Sequence, residues 1–461
     1  MAAVTVVGLG KIGLPLAVTI AAAGHQVTGA DINPEVVARV SAGVPPFPGE
    51  PELDVRLAEV TGRGVLRATT DTTAAAAGSE VVVIVVPLVI GSDRRPDHRA
   101  LDAATDAVGA GLSPGSLVIV ETTLPVHTTR RRIAARLAAA SGLRPGTDFG
   151  VCHSPERVSS GTVFADLARY PKLVGGIDRA SGERAAEFYA SVLSFTERPD
   201  LPRPNGVWDL GSAEAAELAK LAETTYRDVN IALANEFAGF AQSAGLDLLP
   251  IIEAANSQPF SHLHRPGIAV GGHCIPVYPW LYAAGDPEAR LPVLAREIND
   301  AMPARAVRML AELAGDLRGK RAVVLGVAYR GGVKETAFTG ALPVARALAE
   351  HGAVPLAHDP LYDDAELAAL GLRPYHLGEP CDVAIVQADH REYARISPAD
   401  LPGITALLDG RSVTDPALWS GVPRLAIGAG RPGQVVGAGA DAGVGGLVGQ
   451  RASSAGMPAT S

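Results

Sequence analysis

Short apolar runs alternate with Ala- and Leu-rich helical stretches through the N-terminal part of the chain. The runs are Val4 to Val7, Gln26 to Ala30, Val81 to Val86, Leu117 to Val120 and Gly150 to Cys152. Strand-like runs separated by helical segments are typical of a parallel α/β sheet. The Pro-rich stretch from Arg198 to Gly206 follows and looks like a linker. We therefore predict a first domain over residues 1–205.

One long helical pattern comes next, from about Ser212 to Ala244. At ~1.5 Å per residue, a helix of this length spans roughly 45 Å, which is enough to join two domains. Its apolar positions provide a surface that can bury against a partner. The pattern predicts an all-helical central region over residues 206–316.

A second alternation of strands and helices occupies residues 317–430, with apolar runs at 321–326, 354–359, 383–386 and 406–409. The predicted fold class is therefore α/β, with two Rossmann-like doubly wound domains joined by a long central helix. From about Gly428 onward the chain is almost all Gly, Ala, Val, Ser and Pro. Such a composition lacks the large apolar residues that offset ordering entropy. We predict that residues 431–461 form a disordered tail.

Composition narrows the class of protein. Hydrophobic residues make up 47% of the 461 positions, but Ala and Gly inflate this figure and no apolar run reaches the ~18 residues of a membrane span. The net charge of −9 gives no basic footprint for nucleic acid. The three cysteines are far apart and odd in number, which argues against a disulfide framework. We expect a cytoplasmic protein without membrane or nucleic-acid partners, and no metal site.

A glycine-rich turn follows the first strand and opens a helix. Glycines at this spacing allow a tight turn, close approach of the backbone to a pyrophosphate and tight packing of helix on strand. Asp31 ends the next strand, where its carboxylate can bond a ribose diol and repel a 2′-phosphate, so NAD is favoured over NADP. The predicted cofactor contacts are Gly8, Gly10, Lys11, Ile12, Gly13 and Asp31.

Two residues outside this turn have candidate chemistry. Cys274 follows paired glycines and His273, and a neighbouring imidazole can lower a thiol pKa and so favour the nucleophilic thiolate. The alternative for Cys274 is an inert core thiol, which is also our interpretation of Cys152 and Cys381. Lys220 shares a face of the long helix with Thr224, and there it either faces a cleft or belongs to a solvated stripe.

Taken together, these segments resemble the UDP-glucose/GDP-mannose dehydrogenase family, particularly its UDP-N-acetylmannosamine dehydrogenase branch. The resemblance runs from Val4 to about Ile427. It implies an NAD domain, a central helical region that forms a homodimer, and a C-terminal domain for a nucleotide-sugar substrate of the UDP-linked kind. The matching motifs are Gly8 to Gly13, Glu50-Pro51, Glu121 to Pro125, Ser154 to Val158, Pro171 to Gly176, Lys220 to Glu236, Gly271 to Pro276 and Asp409 to Arg411.

The resemblance also implies residue roles in a four-electron oxidation of a sugar C6 alcohol to a carboxylate. Cys274 would carry thiohemiacetal and thioester intermediates, and Lys220 would stabilise the oxyanions. Glu156 would activate water, and Thr123 would orient a water or hydroxyl on the proton path. The same resemblance adds Pro87 and Thr123 to the cofactor site. It places Glu156, Arg157, Val158, Lys220, Arg265, Gly271 and Arg330 at the substrate.

The chain departs from the family pattern at several of these motifs. Tyr278 stands where the family has an Asp four residues after the nucleophile, and Thr224 stands in place of an Asn. Ala337 and Phe260 each occupy a position where an Arg is expected. We hypothesise an unusual nucleotide sugar as substrate, with Tyr278 taking over part of the proton path.

Two further hypotheses remain open from the sequence. A two-electron oxidoreductase would stop at the aldehyde, because the hydrolytic residues are altered. A nucleotide-sugar-binding protein would have lost the chemistry altogether, although it would then have no need for Cys274, Lys220, Glu156 and Thr123 together.

Overall fold

The structure is a computed structural model, and it describes residues 1–430. The predicted tail at 431–461 lies outside the described residues. Within the described part, two separate sheets flank a central group of helices. This arrangement confirms the predicted α/β class with two doubly wound sheets.

The N-terminal part contains ten strands and eight helices, together with a π-helix at Thr129–Ile133. Its strands are β1 Ala3–Val7, β2 Gln26–Ala30, β3 Leu66–Thr69, β4 Val81–Ile84, β5 Val89–Ile90, β6 Pro96–Asp97, β7 Leu117–Val120, β8 Gly150–His153, β9 Lys172–Gly176 and β10 Val207–Asp209. Its helices are α1 Gly13–Ala22, α2 Pro34–Ser41, α3 Leu53–Gly62, α4 Thr72–Ala77, α5 Arg99–Gly111, α6 Ala134–Ser141, α7 Val163–Arg169 and α8 Arg179–Val192.

Eight of these strands form one sheet in the order β10-β9-β8-β7-β4-β1-β2-β3, while β5 and β6 form a small hairpin. Side chains alternate between the faces, so Val83 packs into one apolar cluster and Val82 into the other. All neighbours are parallel except β8 and β9. The direction of β9 follows from the path of the chain after β8. The chain stays near the carboxyl edge of the sheet, where Glu156 N donates to Glu121 O at 3.2 Å, and then forms the seven-residue α7 before β9. β10 lies just beyond the predicted boundary at residue 205.

The central part is built from four helices: α9 Ala213–Ser243, α10 Leu248–Asn256, α11 Tyr278–Gly285 and α12 Arg290–Ala314. α9 has 31 residues and begins at Ser212, whose hydroxyl accepts the Ala215 amide at 3.2 Å. Buried polar contacts join α9 to α12: Asn235 donates to Asn299, and Arg296 pairs with Asp228 at 2.6 Å. Both ends of α9 reach a sheet, because Ser212 O packs against Gly175 and Gln242 donates to Ala426 O.

The C-terminal part is a five-stranded parallel sheet in the order β12-β11-β13-β14-β15. Its elements are β11 Arg321–Leu325, α13 Ala341–Glu350, β12 Val354–His358, α14 Asp364–Ala369, β13 Val383–Val386, β14 Ala406–Asp409 and β15 Arg424–Ala426, with 3₁₀-helices at Arg391–Arg395, Pro398–Asp400 and Pro416–Trp419. Residues of α12 and α13 share one buried cluster with this sheet, so the central helices and the C-terminal sheet form a common core. Across residues 1–430, each helix is too short or too polar to cross a bilayer.

Candidate active site

The glycine-rich turn joins β1 to α1 and leaves open backbone at its centre. Gly8 has a φ of +94°, and a Cβ there would lie 3.0 Å from Val85 O. A Cβ on Gly13 would lie 1.9 Å from Gly8 O, so only glycine allows α1 to approach the strand this closely. By contrast, no atom lies within 4 Å of a Cβ built on Gly10. This free surface at a helix N-terminus suits a pyrophosphate. Ile12 precedes the first residue of α1 and is half-buried.

Asp31 lies beside this turn, at the carboxyl end of β2. Its Oδ2 accepts the Leu9 amide at 2.8 Å and its Oδ1 accepts the Asn33 amide at 2.9 Å. The carboxylate is therefore held in place and remains half-exposed. Pro87 is exposed after β4, the strand that neighbours β1 on the other side. A dinucleotide binds at this kind of sheet position, where connections leave in opposite directions.

Lys11 connects the glycine-rich turn to the C-terminal part. Its ammonium forms an ion pair with Glu335, in the loop between β11 and α13. Glu335 Oε2 also lies 3.5 Å from His273 Nε2, next to Cys274. The hydrogen bond from His273 opposes the effect of partial burial and, with Lys11, holds the pKa of Glu335 well below its usual range. Glu335 thus contacts both the glycine-rich turn and the cysteine loop.

The predicted catalytic residues come from four elements that meet at one place. Thr123 follows β7 and Glu156 follows β8, so both leave the carboxyl edge of the N-terminal sheet. Lys220 projects from α9, and its ammonium lies 5.8 Å from the centre of the Tyr278 ring, on α11. Cys274 precedes α11, and its carbonyl accepts the Tyr278 amide at 2.9 Å.

Tyr278 is the residue that joins this group. The side chains of Thr123 and Cys274 both lie close enough to its hydroxyl to affect its ionisation. Burial, and then the nearby Cys274 and Glu156, raise the pKa of the phenol well above its ordinary value. The phenol is therefore a neutral hydrogen-bond donor beside the half-buried thiol.

Lys220 is buried and paired within its own helix. Its ammonium lies 3.0 Å from Glu223 Oε1, and Glu223 Oε2 accepts Arg157 Nε at 2.9 Å. The pairing orients Lys220 and links α9 to the loop that carries Glu156, Arg157 and Val158. Sequence reasoning missed Glu223, although its i+3 spacing from Lys220 is a recognisable signal.

Thr224 is buried on the same face of α9 as Lys220. Its hydroxyl donates to Lys220 O at 2.9 Å, in the manner common for Thr within helices. Because the only hydroxyl proton is used in this bond, Thr224 can offer the site an acceptor and no donor in this geometry.

Glu156 is held by the backbone of its own loop and by a buried lysine. Its Oε1 accepts the amides of Arg157, at 2.5 Å, and Val158, at 2.7 Å. Its Oε2 lies 3.5 Å from Lys172 Nζ on β9. Burial opposes ionisation, but Lys172, then the Glu121 side chain and these backbone amides outweigh it and keep the pKa of Glu156 below its usual value. The side chain is therefore a carboxylate able to accept a proton.

The cysteine loop packs on the C-terminal part. A Cβ on Gly271 would lie 2.6 Å from Tyr329 Cβ, and the Gly272 amide donates to Ala337 O at 2.8 Å. Arg330 is exposed next to this contact, with its Nε 3.0 Å from the Tyr329 hydroxyl. Arg265 is exposed earlier in the same segment. Neither arginine touches the Tyr278 group in the described residues.

Several buried polar residues near the site were not singled out from the sequence. Lys172 Nζ lies 2.7 Å from Glu121 Oε1, which also accepts the Tyr189 hydroxyl. Glu217 on α9 accepts the amides of His127 at 2.6 Å and Thr129 at 2.7 Å. In the sequence, Glu121 and Lys172 each appear as a charged residue at one end of an apolar strand. Their pairing depends on the order of the strands in the sheet. Cys152 and Cys381 are buried.

Dehydrogenases from other organisms match the chain along most of its length. UDP-N-acetyl-D-mannosamine dehydrogenase from Pyrococcus horikoshii is 36% identical over 403 residues, which cover 86% of this chain and 91% of the relative. NDP-N-acetyl-D-galactosaminuronic acid dehydrogenase from Ralstonia solanacearum is 30% identical, over 90% of this chain and 96% of the relative. A solved structure of the Pyrococcus horikoshii UDP-N-acetyl-mannosamine dehydrogenase superposes with a TM-score of 0.82 at 33% identity, covering 92% of this chain and 99% of that one.

Three family models match in consecutive order. They are the NAD binding domain at residues 2–193, the central domain at 214–301 and the UDP binding domain at 323–416 of the UDP-glucose/GDP-mannose dehydrogenase family. These ranges follow the two sheets and the central helices described above. The chain therefore belongs to the UDP-glucose/GDP-mannose dehydrogenase family and is an NAD-dependent oxidoreductase.

Proposed function

We propose that this protein oxidises the C6 alcohol of a nucleotide sugar to the uronic acid in two steps, through covalent intermediates on Cys274. The substrate class that the named relatives favour is a UDP-linked N-acetylhexosamine or related hexose. Three domains have separate roles in this reaction. Residues 1–205 bind NAD, residues 206–316 supply the cysteine loop and the dimer contact, and residues 317–430 bind the nucleotide of the sugar substrate.

The N-terminal turn has the shape that NAD requires. Gly10 and Lys11 would face the pyrophosphate, Asp31 the adenosine ribose, and Pro87 and Thr123 the path towards the nicotinamide. Bound NAD supplies the acceptor for the electrons of both oxidations. The open backbone at Gly10 and the fixed carboxylate of Asp31 support this assignment.

The residues around Tyr278 suit the first oxidation and the addition that follows. As the alcohol becomes an aldehyde, its hydroxyl proton must leave, and the neighbouring hydroxyls of Thr123 and Tyr278 provide a path for it. The Cys274 sulfur then adds to the aldehyde carbon, and the Lys220 ammonium stabilises the resulting oxyanion. A second oxidation of this adduct leaves a thioester on Cys274.

Hydrolysis of the thioester needs a base, and Glu156 is an ionised, buried candidate. Water loses a proton to Glu156 as its oxygen bonds to the acyl carbon, and the carbon–sulfur bond breaks to release the carboxylate product and the Cys274 thiolate. The loop that carries Glu156 also presents Arg157 and Val158 towards the substrate, while Gly271, Arg265 and Arg330 lie where the nucleotide would approach.

The observation that carries this proposal is the grouping of Cys274, Tyr278 and Thr123 at one place, with Glu156 and Lys220 beside them. A nucleophile, a neutral donor, a base and a fixed cation are the parts that acyl chemistry on a thiol requires. Tyr278 stands four residues after the thiol, where the family pattern has a carboxylate.

The decisive experiment counts NADH released per sugar consumed, across a panel of UDP-, GDP- and dTDP-linked sugars. About two NADH with a carboxylate product supports complete oxidation. About one NADH with an aldehyde product would mean that Tyr278 and Thr224 do not support hydrolysis. Binding of a nucleotide sugar with no NADH at all would favour a binding protein.

A Cys274→Ser variant separates catalysis from binding. It should abolish carboxylate formation while nucleotide-sugar affinity, measured by calorimetry, stays near that of the unaltered protein. Cys381→Ser is the matched control, because that thiol is buried in the C-terminal core.

We also propose a homodimer that forms along α9. Four large apolar side chains, Tyr226, Leu233, Phe237 and Phe240, are exposed by 53%, 38%, 39% and 71%. They recur at the i, i+7, i+11 and i+14 positions of the helix and so share one face, and monomers rarely expose a patch of this kind. Sedimentation should show a dimer that Leu233→Asp with Phe240→Asp converts to a monomer. Leu418→Asp, at an exposed apolar residue in the C-terminal part, should leave the dimer intact.

A further inference from the structure

Next to Glu156 lies a buried group of three charged or polar side chains. Lys172 on β9 is 5% exposed, Glu121 after β7 is 1% exposed, and Tyr189 on α8 is fully buried. The Lys172 ammonium lies 2.7 Å from Glu121 Oε1, 3.5 Å from Glu156 Oε2 and 4.7 Å from the centre of the Tyr189 ring. Glu121 Oε1 also accepts the Tyr189 hydroxyl.

The group contains more negative than positive charge. Two carboxylates compete for one ammonium in a region shielded from water, where an unpaired charge is costly. Among the described residues, Glu121 Oε2 and Glu156 Oε2 are buried without a hydrogen-bond partner. One of the two carboxyl groups must therefore hold a proton more readily than the other.

We propose that Lys172 is a positioning residue for Glu156: its ammonium keeps that carboxylate in place and ionised, while Glu121 takes up the proton that the shared ammonium cannot balance. The inference rests on the proposed function, in which Glu156 is the base for thioester hydrolysis.

The groups around the two carboxyls support a charged Glu156 and a protonated Glu121. Burial, together with repulsion from Glu156, raises the pKa of Glu121 to about 7 despite the nearby Lys172. Burial lowers the pKa of a lysine, but for Lys172 the two carboxylates outweigh burial and raise it, so the ammonium stays charged. Glu156 instead has a lowered pKa, because Lys172, then the Glu121 side chain and two backbone amides stabilise its charge against burial.

Of the other charged groups near Glu156, Lys220 and Arg157 are each paired with Glu223, and three further titratable groups are neutral. Tyr278 approaches from α11 as a neutral phenol. On β8, burial and then Lys172 lower the pKa of His153 to about 3, so this imidazole is neutral. Tyr189 on α8 has its pKa raised well above 10 by burial and by Glu121. Lys172 is the buried cation that lies near both Glu121 and Glu156.

The test uses two variants with opposite expected effects on the acid limb of the pH profile of NADH formation from UDP-N-acetyl-D-mannosamine. Lys172→Met removes the cation, so Glu156 should become protonated at higher pH and the acid limb should move up by about one unit or more. Glu121→Gln removes the competing carboxylate, so the limb should stay in place or move down. Mere damage to folding would not separate the two in this way.

A readout without substrate accompanies the kinetics. Infrared spectroscopy follows the protonated carboxyl band as pH is changed, and the band of Glu156 is assigned by its loss in Glu156→Gln. The pH midpoint of this band should be higher in Lys172→Met of the full-length protein. Arg296→Met is the matched control, because Arg296 is also a buried cation paired with a carboxylate, Asp228. It should lower stability and leave the Glu156 titration unchanged.

The outcomes separate this inference from the proposed function. An unmoved infrared titration in Lys172→Met overturns the inference, whatever the protein oxidises. A moved titration with an unmoved acid limb also overturns it as a positioning role, and leaves two-step oxidation standing. A moved titration in a protein that releases no NADH from any sugar would confirm the coupling of charges and reject the proposed function.

Discussion

Lys11, in the glycine-rich turn of the N-terminal sheet, forms an ion pair with Glu335, which lies 324 residues further along the chain in the C-terminal part. The pair places a carboxylate close to the backbone that would hold the NAD pyrophosphate. Lys11 neutralises this carboxylate, and His273 lies on its other side. Cofactor affinity should therefore depend on both partners together.

Replacing Lys11 by Met should weaken NAD binding about tenfold, which corresponds to about 1.4 kcal/mol. The physical reason is that Glu335 would then face the phosphates without its neutralising partner. Glu335→Gln should not weaken binding, and the double variant should resemble Glu335→Gln alone. Isothermal titration with NAD measures all four proteins. Equal weakening in Lys11→Met and in the double variant would show that Glu335 has no part in the effect.

Tyr278→Phe should lower kcat about 100-fold while KM for both substrates stays nearly unchanged, because the variant loses a proton-path hydroxyl and keeps the ring. Steady-state NADH formation measures the change. Tyr282→Phe is the matched control on the same helix, since its hydroxyl bonds only to Asp286, at 3.2 Å, among the described residues. Full activity in Tyr278→Phe would exclude a role of the phenol in proton transfer.

Glu121 should make the protein less stable as pH rises. Its folded pKa of about 7 lies above the ordinary 4.5, so the folded state binds more protons in this interval. The stabilisation is complete below pH 4.5 and is lost as pH rises through 7, by on the order of 3 kcal/mol. Urea denaturation between pH 4.5 and 8 should show a flatter dependence for Glu121→Gln. An identical slope in both proteins would contradict the raised pKa.

Glu217 should contribute to stability through its two backbone acceptor bonds. Glu217→Ala leaves the part-buried amide of His127 and the buried amide of Thr129 without this acceptor, which should lower the free energy of unfolding by about 3 kcal/mol. Glu217→Gln retains one acceptor oxygen and should lose less. Denaturation at one fixed pH measures both variants, and equal losses would show that the cavity, and not the hydrogen bonds, determines the cost.

Local patterns were sufficient to predict much of the fold. The strand, glycine turn and helix at Val4 to Ala22 are encoded within one short segment, and α9 was predicted to within a residue at each end because its helical pattern is long and uninterrupted. β3 and β10 were missed, since each is short and half-exposed and is stabilised by its neighbour in the sheet. The antiparallel pairing of β9 also depends on tertiary contacts.

The candidate site shows the same limit. Cys274 and Lys220 stand out by residue type, and Glu223 follows from spacing on a helix. The pairing of Lys172 with Glu121 requires knowledge that β9 lies beside β8 and β8 beside β7. The contact between Lys11 and Glu335 requires the relative placement of two sheets. Side chains that meet across such distances leave no periodic signal in the sequence.

The central helix α9 also constrains how the chain can change in length. One unbroken helix touches the N-terminal sheet at Ser212 and the C-terminal sheet at Gln242, and it carries Lys220 between them. Inserting a single residue after Lys220 would rotate everything beyond it by about 100° and shift it by about 1.5 Å. The exposed apolar side chains of α9 beyond Lys220, its polar contacts to α12 and its contact with the C-terminal sheet would all be displaced relative to Lys220 at once. Surface loops tolerate insertions, whereas this helix acts as a spacer whose residue count cannot vary by one.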